Sequence, residues 1–307
     1  MTFDENCLSI IIPTYKRPDA LARALASVEA ETVSGLDIEI VIADNDPKAS
    51  AQSFVMEKIA TTDVNITYIH VPEPGVSNAR NSALGTARGR YILFLDDDME
   101  ASSPWAQAMV DAAQKFDAAL VFGPVNAVMP DPNDPFFERM QPLFSRENHG
   151  EDGIIERGIG TGNCFIDRVK AALPSPVFDT SLNQTGGEDD ALFRKLEEQD
   201  IRIAWTNAAV TLEHVPAHRA TLKYVWRRNF AFGQAPTHEA ADKGVSGWPL
   251  VVFWMCVGVW QIVSYGVRFA VTKLLNRPES VFNLGRLAQG FGKLFWSDRL
   301  SPKFYGI

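Results

Sequence analysis

The sequence is poor in cysteine, with three in 307 residues: Cys7, Cys164 and Cys256. An odd, scattered set without metal-ligand spacing excludes a disulfide scaffold and fits a reducing compartment. A positive balance is also missing. The formal net charge is −9, which excludes a general nucleic-acid binder, because that work needs cations to neutralise phosphates. No G-x-G-x-x-G follows any apolar run, which disfavours a dinucleotide oxidoreductase. The start, MTFDENCLSIII, has no basic stretch ahead of a cleavable apolar segment, so no signal peptide is expected and the active part is expected in the cytosol. Internal repeats and low-complexity tracts are not evident.

What is present is ordinary globular composition, 46% hydrophobic and 22% charged, in a chain long enough for one large domain plus an appendage. The charge is unevenly placed. Residues 268–307 hold the cations Arg268, Lys273, Arg277, Arg286, Lys293, Arg299 and Lys303 against only Glu279 and Asp298. An acidic body with a basic end implies that the two ends meet different surroundings.

Apolar, β-branched runs at 8–12, 38–43, 64–71 and 91–95 alternate with helical spacing at 19–31 (Leu21, Leu25, Val28) and 75–88. Strands alternating with helices predict a doubly wound, mostly parallel α/β sheet with both faces covered. Ligands in such sheets sit beyond the carboxyl ends of the strands. Residues 129–162, rich in Pro, Asp and Gly, predict a long loop region, a lid or acceptor-side segment, with short helices. Order is expected again at 161–168, as a helix at 188–199 and as a strand at 201–205.

Chemistry-bearing residues gather at those strand ends. Asp96, Asp97 and Asp98 end the run YILFL. Three carboxylates closing a buried strand are expensive without compensation, and Mg²⁺ or Mn²⁺ would relieve them while bridging to phosphates. Alternation along an extended segment would let Asp96 and Asp98 converge on one ligand. An acidic turn with solvated charges is the plain alternative. Pro13, Thr14, Tyr15, Lys16 and Arg17 follow the first strand and offer an aromatic face and cations. Asp44, Asn45 and Asp46 follow the second, and Arg80 lies in a segment opening after a Pro-Gly turn, where helix N–H groups could meet phosphate. Each of these also reads as a surface loop. Glu188, Asp189 and Asp190, after Gly186 and Gly187, either complement a helix dipole or face a substrate.

The segments SIIIPTYKRPDAL, VIADNDP, EPGVSNARNSALGTARGRYILFLDDDM and GGEDDALFRKL resemble, in order and spacing, the motifs of family 2 glycosyltransferases with a GT-A fold. The resemblance covers roughly residues 8–235 and is strongest to bacterial exopolysaccharide transferases of the succinoglycan type. It implies that Tyr15 packs on the nucleobase, that Asp44 hydrogen-bonds it and that Arg80 lies near it. It further implies Asp96 near the ribose and Asp98 on a divalent cation, with Asp97 standing where the family often has a neutral residue. The aligned Glu188-Asp189 pair makes Asp189 the expected general base for a sugar hydroxyl. Thr161, Gly162 and Asn163 resemble a segment lining the donor sugar or acceptor. His214, after an apolar run, is either structural or a second metal ligand, as a late histidine is in related enzymes; His70, His149, His218 and His238 carry no comparable signal. Arg227 and Arg228 either hold diphosphate or face lipid headgroups.

The expected activity is therefore inverting transfer from a nucleotide sugar, with UDP the expected nucleotide, to a hydroxyl of a polyprenyl-diphosphate-linked glycan acceptor in cell-surface polysaccharide biosynthesis. A non-catalytic nucleotide-sugar-binding protein is the rival reading, disfavoured by Asp98 and Asp189. A sugar nucleotidyltransferase should carry a glycine-rich loop where PTYKRPD stands. The expected domains are 1–235, a GT-A transferase, and 236–307, a membrane-associating helical tail. Within the tail, WPLVVFWMCVGVWQIVSYGV at 248–267 has no charge in twenty residues, about 30 Å as a helix and enough to span a bilayer core. The basic tail and an amphipathic stretch at 281–296 favour a re-entrant or interfacial hairpin at the cytoplasmic face.

Overall fold

The computed structural model describes residues 3–146, 150–183 and 186–302; His149 and Lys303 lie outside them. In chain order the elements are β1 (Asp4–Thr14), α1 (Pro18–Glu29), β2 (Asp37–Asp44), α2 (Gln52–Thr61), β3 (Asn65–His70), α3 (Val76–Thr86), β4 (Gly89–Leu95) and β5 (Met99–Ala101). There follow α4 (Trp105–Lys115), β6 (Leu120–Phe122), β7 (Val125–Val128), α5 (Pro135–Met140), β8 (Gly153–Ile155), β9 (Asn163–Asp167) and α6 (Glu188–Glu197). The last are β10 (Ile203–Trp205), β11 (Thr211–His214), α7 (Leu222–Asp242), α8 (Trp248–Leu274) and α9 (Ser280–Leu294). Two compact units result, one built from residues up to Asn126 together with Ser145–Glu213, the other from Ala127–Phe144 together with His214 onward.

The first unit is organised on an eight-stranded sheet in the order β3-β2-β1-β4-β9-β6-β10-β8. β1 pairs in parallel with both β2 and β4, β2 with β3, and β6 with β10, while β9 runs antiparallel to β4 and β6. Period-two alternation in β1 sends Leu8, Ile10 and Ile12 to one face and Ile11 to the other. The first set packs with Leu21 and Leu25 of α1 and Met109 of α4. Ile11 joins Ala79 and Ala83 of α3 and Leu192, Phe193 and Leu196 of α6. Pro18 opens α1, where its missing N–H costs nothing. Buried Leu21, Ala24, Leu25 and Val28 follow at i, i+3, i+4 and i+7. Each large apolar side chain fully buried in this way contributes about 1.5–3 kcal/mol.

One expectation fails at the end of β4. The strand stops at Leu95, and Asp96–Asp98 lie in a turn that closes with a 3.0 Å hydrogen bond from the Met99 N–H to the Asp96 carbonyl. Strand alternation therefore does not govern where the three carboxylates point. The loop region expected at 129–162 carries an expected short helix, α5, and in addition the strand β8.

The second unit is helical. Met129, Met140, Phe144, Val215, Ala220, Val225 and Val281 form its apolar cluster. α7 runs unbroken through position 235, the expected domain boundary. α8 and α9 pack as an antiparallel hairpin: Gly258 faces Gly290, and further along Thr272 accepts a 3.2 Å hydrogen bond from Asn283. Facing glycines let the two backbones approach closely. The apolar helix extends beyond 267, through Arg268 and Lys273, to Leu274. Residues Gly244–Leu274 have a mean hydropathy of 1.8 over their most apolar window and are long enough to cross a membrane. Trp260, Val263 and Val267 are each at least 60% exposed.

Candidate active site

The site begins where β1 ends. Thr14 donates its hydroxyl to Asp97 at 2.8 Å, and the Tyr15 N–H reaches the same carboxylate oxygen at 3.4 Å. Arg17 then bridges two neighbours of the β4 turn, with Nη1 3.0 Å from Asp97 and 2.9 Å from Asp98. Burial pushes the Asp97 carboxyl up to about 6; Arg17 pulls it back, and Asp98 adds to the rise. Asp97 is thus the carboxylate that anchors the turn to the end of β1. Tyr15 remains partly exposed, with the Lys16 ammonium 4.7 Å from its ring centroid.

Asp96 belongs to a different ion pair. Its carboxylate meets Arg80 at 3.1 Å, and the same guanidinium meets Glu188 at 2.5 Å. Burial alone would lower the Arg80 pKa, but Asp96 and Glu188 overcome it and raise it. Arg80 therefore sits among carboxylates, 5% exposed, and joins the β4 turn to the first turn of α6. Arg80 was expected near the base; its guanidinium is held there by two carboxylates, one of them the Asp96 expected near the ribose.

Asp189 follows Glu188 at the start of α6. Gly187 precedes the helix at φ +89°, a left-handed conformation that a side chain resists. Glu188 is turned inward to Arg80, whereas Asp189 is half-buried, with one oxygen accepting from the Asp190 N–H at 2.9 Å. Its other oxygen faces the loop before β9: a Cβ on Gly160 would lie 3.5 Å from Asp189 Oδ2. Two residues on, a Cβ on Gly162 would come within 2.7 Å of Asp96 Oδ2. Residues 160–162 thus pass between the two carboxylates. Thr161 is 2% exposed.

Two expected contacts are taken up internally. Asp44 is fully buried, and its oxygens accept from the Asp46 N–H at 3.0 Å, the Ala51 N–H at 2.8 Å and the Tyr68 hydroxyl at 3.1 Å. It closes a turn at the end of β2, with three hydrogen bonds already accepted by its two oxygens. Asn163 is also fully buried; it accepts from the Trp105 indole at 2.8 Å and donates to the carbonyls of Pro124 and Ala209. Asn163 therefore supports the sheet end through its side-chain amide. His214 ends β11 in the second unit, where α7 carries an exposed Arg227 and an Arg228 stacked over Phe144 and Phe232.

For a metal, the donor chemistry fits a hard divalent cation, since Asp97 and Asp98 already converge on one positive group, the Arg17 guanidinium. Among the described residues no three His, Cys, Asp or Glu side chains form a ready-made cage. The sequence reading missed Arg146, whose guanidinium bonds to four backbone carbonyls around Gly160. Its only local signal is one arginine in an aperiodic stretch.

Against known proteins, residues 9–171 match the family described as Glycosyl transferase family 2. The chain belongs to that family. Over 237 residues it is 33% identical to the succinoglycan biosynthesis protein ExoM of Rhizobium meliloti (strain 1021), covering 77% of this chain and 76% of that one. It is 30% identical over 118 residues to the GalNAc(5)-diNAcBac-PP-undecaprenol beta-1,3-glucosyltransferase of Campylobacter jejuni, 38% of this chain and 37% of that one. Among solved structures, GalNAc-T7 with UDP, GalNAc and Mn²⁺ shares the fold at a TM-score of 0.55 and 17% identity, over 76% of this chain and 51% of that one. Staphylococcus aureus TarS 1–349 with UDP-GlcNAc does so at 0.52 and 14% identity, over 80% of this chain and 69% of that one. The GT-A fold of this family 2 glycosyltransferase is thereby shown.

Proposed function

We propose that this glycosyltransferase moves a sugar from a UDP-sugar to a hydroxyl of a lipid-linked glycan, with inversion, during assembly of a cell-surface polysaccharide. The observation that carries the reading is the Arg80 bridge, which ties Asp96 to the helix bearing Asp189. The two fold neighbours solved with UDP or UDP-GlcNAc support the nucleotide. The succinoglycan and undecaprenol-linked relatives support the acceptor class.

In this reading Tyr15 offers its ring to the base and Asp96 accepts from the ribose. Asp44 acts indirectly, by holding the turn beneath them. Asp98 would hold a divalent cation; when bound, the cation offsets charge on the leaving diphosphate. Asp189 takes the proton of the acceptor hydroxyl as its oxygen bonds to the anomeric carbon and the bond from that carbon to the diphosphate oxygen breaks. One displacement on the face opposite the leaving group inverts the centre, and no covalent enzyme intermediate is required. Thr161 and Gly162 border the sugar.

The apolar α8 supports attachment to the membrane. The proposed arrangement is a hairpin of α8 and α9 that keeps the transferase and the basic tail at the cytoplasmic face, where each cation near anionic headgroups adds about 1 kcal/mol. The test is transfer from radiolabelled UDP-sugars to a polyprenyl-diphosphate-linked oligosaccharide, with the anomeric configuration of the product read by NMR. A retained configuration would overturn the single displacement.

A further inference from the structure

We infer that Arg146 is a positioning residue for transfer: it fixes the loop that runs between Asp96 and Asp189, an inference that rests on the function proposed above. Residues 156–162, between β8 and β9, have no ladder of their own. Their carbonyls need partners from elsewhere. One guanidinium supplies two of them. Arg146 Nη1 donates to the carbonyls of Ile159 and Gly160 on the loop side. On the sheet side Nη2 donates to the Asn163 carbonyl at 3.0 Å and Nε to the Gly123 carbonyl at 3.2 Å.

The sheet side is rigid. Arg146 exchanges two backbone hydrogen bonds with Val125, at 2.8 and 3.0 Å. Asn163 is locked by Trp105, Pro124 and Ala209. The clamp therefore transmits the position of β9 to Gly160, which sits at φ +63°; a Cβ there would lie 3.4 Å from Arg146 Nη1 and 3.5 Å from Asp189 Oδ2. Among the described residues no carboxylate forms an ion pair with Arg146; its partners are carbonyls. Burial pulls its pKa down to about 10, against the more distant pull of Asp96, Glu213 and Asp189. A planar fork with donors on both edges meets this need, whereas a point ammonium cannot reach both sides.

The expected phenotype is a loss in kcat without a loss in nucleotide binding, because none of the clamp's contacts is to Thr14, Tyr15 or the Asp96–Asp98 turn. In Arg146→Ala, kcat should fall about 100-fold, as expected when reacting groups are misplaced by about 1 Å. UDP affinity by calorimetry should stay within about threefold. Methylguanidinium added to this variant should recover at least about tenfold of the loss, and Arg146→Lys should not restore it. Hydrogen exchange at residues 158–162 should accelerate in Arg146→Lys while β1 and β4 keep their protection.

If Arg146→Ala retains wild-type kcat, or loses UDP binding in step with kcat and gains nothing from methylguanidinium, the positioning role is wrong. If Arg146→Ala does not fold, Arg146→Lys decides: unchanged kcat and unchanged loop exchange overturn the inference. Should the wild-type protein turn over no nucleotide sugar at all, the proposed function falls, and loop exchange still reads the clamp separately.

Discussion

Replacing Arg80 by Met keeps most of the apolar volume and removes the charge that two carboxylates share. Glu188, 6% exposed, loses a partner at 2.5 Å, and Asp96 loses one at 3.1 Å. Breaking a buried pair from one side costs about 3–5 kcal/mol, since the remaining charge stays desolvated. The Asp96 carboxylate, with side-chain exposure of 32%, adds little because water screens it. For a domain of this size each kcal/mol shifts Tm by about 2–4 °C, so a fall of roughly 6–20 °C is expected at about pH 8. Burial already raises the Glu188 carboxyl above its ordinary value, opposed by Arg80. Without Arg80 it rises further. A carboxyl whose folded pKa lies above its unfolded one binds its proton more tightly when folded, so lowering the pH favours the folded variant. The difference in Tm between wild type and Arg80→Met, read by scanning calorimetry from about pH 8 to about pH 5, should therefore shrink as the pH falls. A deficit under about 1 kcal/mol, or one of equal size across the range, would refute the buried bridge.

Asp189→Asn should cut transfer by about 10²–10⁴-fold and leave UDP affinity nearly unchanged in calorimetry; full transfer would remove Asp189 from the mechanism. Asp98→Ala should weaken UDP binding in the presence of Mn²⁺ or Mg²⁺, and excess chelator should mimic it in the wild-type protein. Activity that persists unchanged in chelator would end the metal reading. Removing residues 246–307 should move the protein from the membrane pellet to the supernatant. In a background with Cys256, exposed on α8, changed to Ser, a cysteine placed beside Lys303 should be labelled only after the cytoplasm is opened. Labelling from outside intact spheroplasts would mean that α8 crosses the membrane once.

The sheet was readable because β1, β2 and β4 carry short apolar, β-rich runs, broken only by Ser9 in β1 and Glu39 in β2, and α1 carries Leu21, Leu25 and Val28 at helical spacing. Short strands buried by their surroundings, such as β6 and β7, give no such periodicity. Motif order marked the residues around the site but not their partners. Arg80 was expected near a base, and nothing local in SNARNSA shows that Glu188, 108 positions away, will claim it. Asp44 and Asn163 occupy strand ends like the others, yet their oxygens already accept from backbone, hydroxyl and indole groups that only the folded chain brings near. Asp96 and Asp98 separate because β4 stops one residue before the triplet. Arg146 was invisible for the same reason: its ligands are carbonyls, which have no sequence signature.

The central claim is that the Asp96–Asp98 turn and Asp189 serve one nucleotide-sugar site. It is tested most directly by measuring nucleotide release from a panel of nucleotide sugars by the purified wild-type, Asp98→Ala and Asp189→Asn proteins, with a divalent cation and a lipid-linked acceptor. One donor should release nucleotide quickly with the wild type, with Asp98→Ala defective in binding that donor and Asp189→Asn binding it but failing to transfer. Equal release by all three proteins, or no release and no binding for any donor, would contradict the claim.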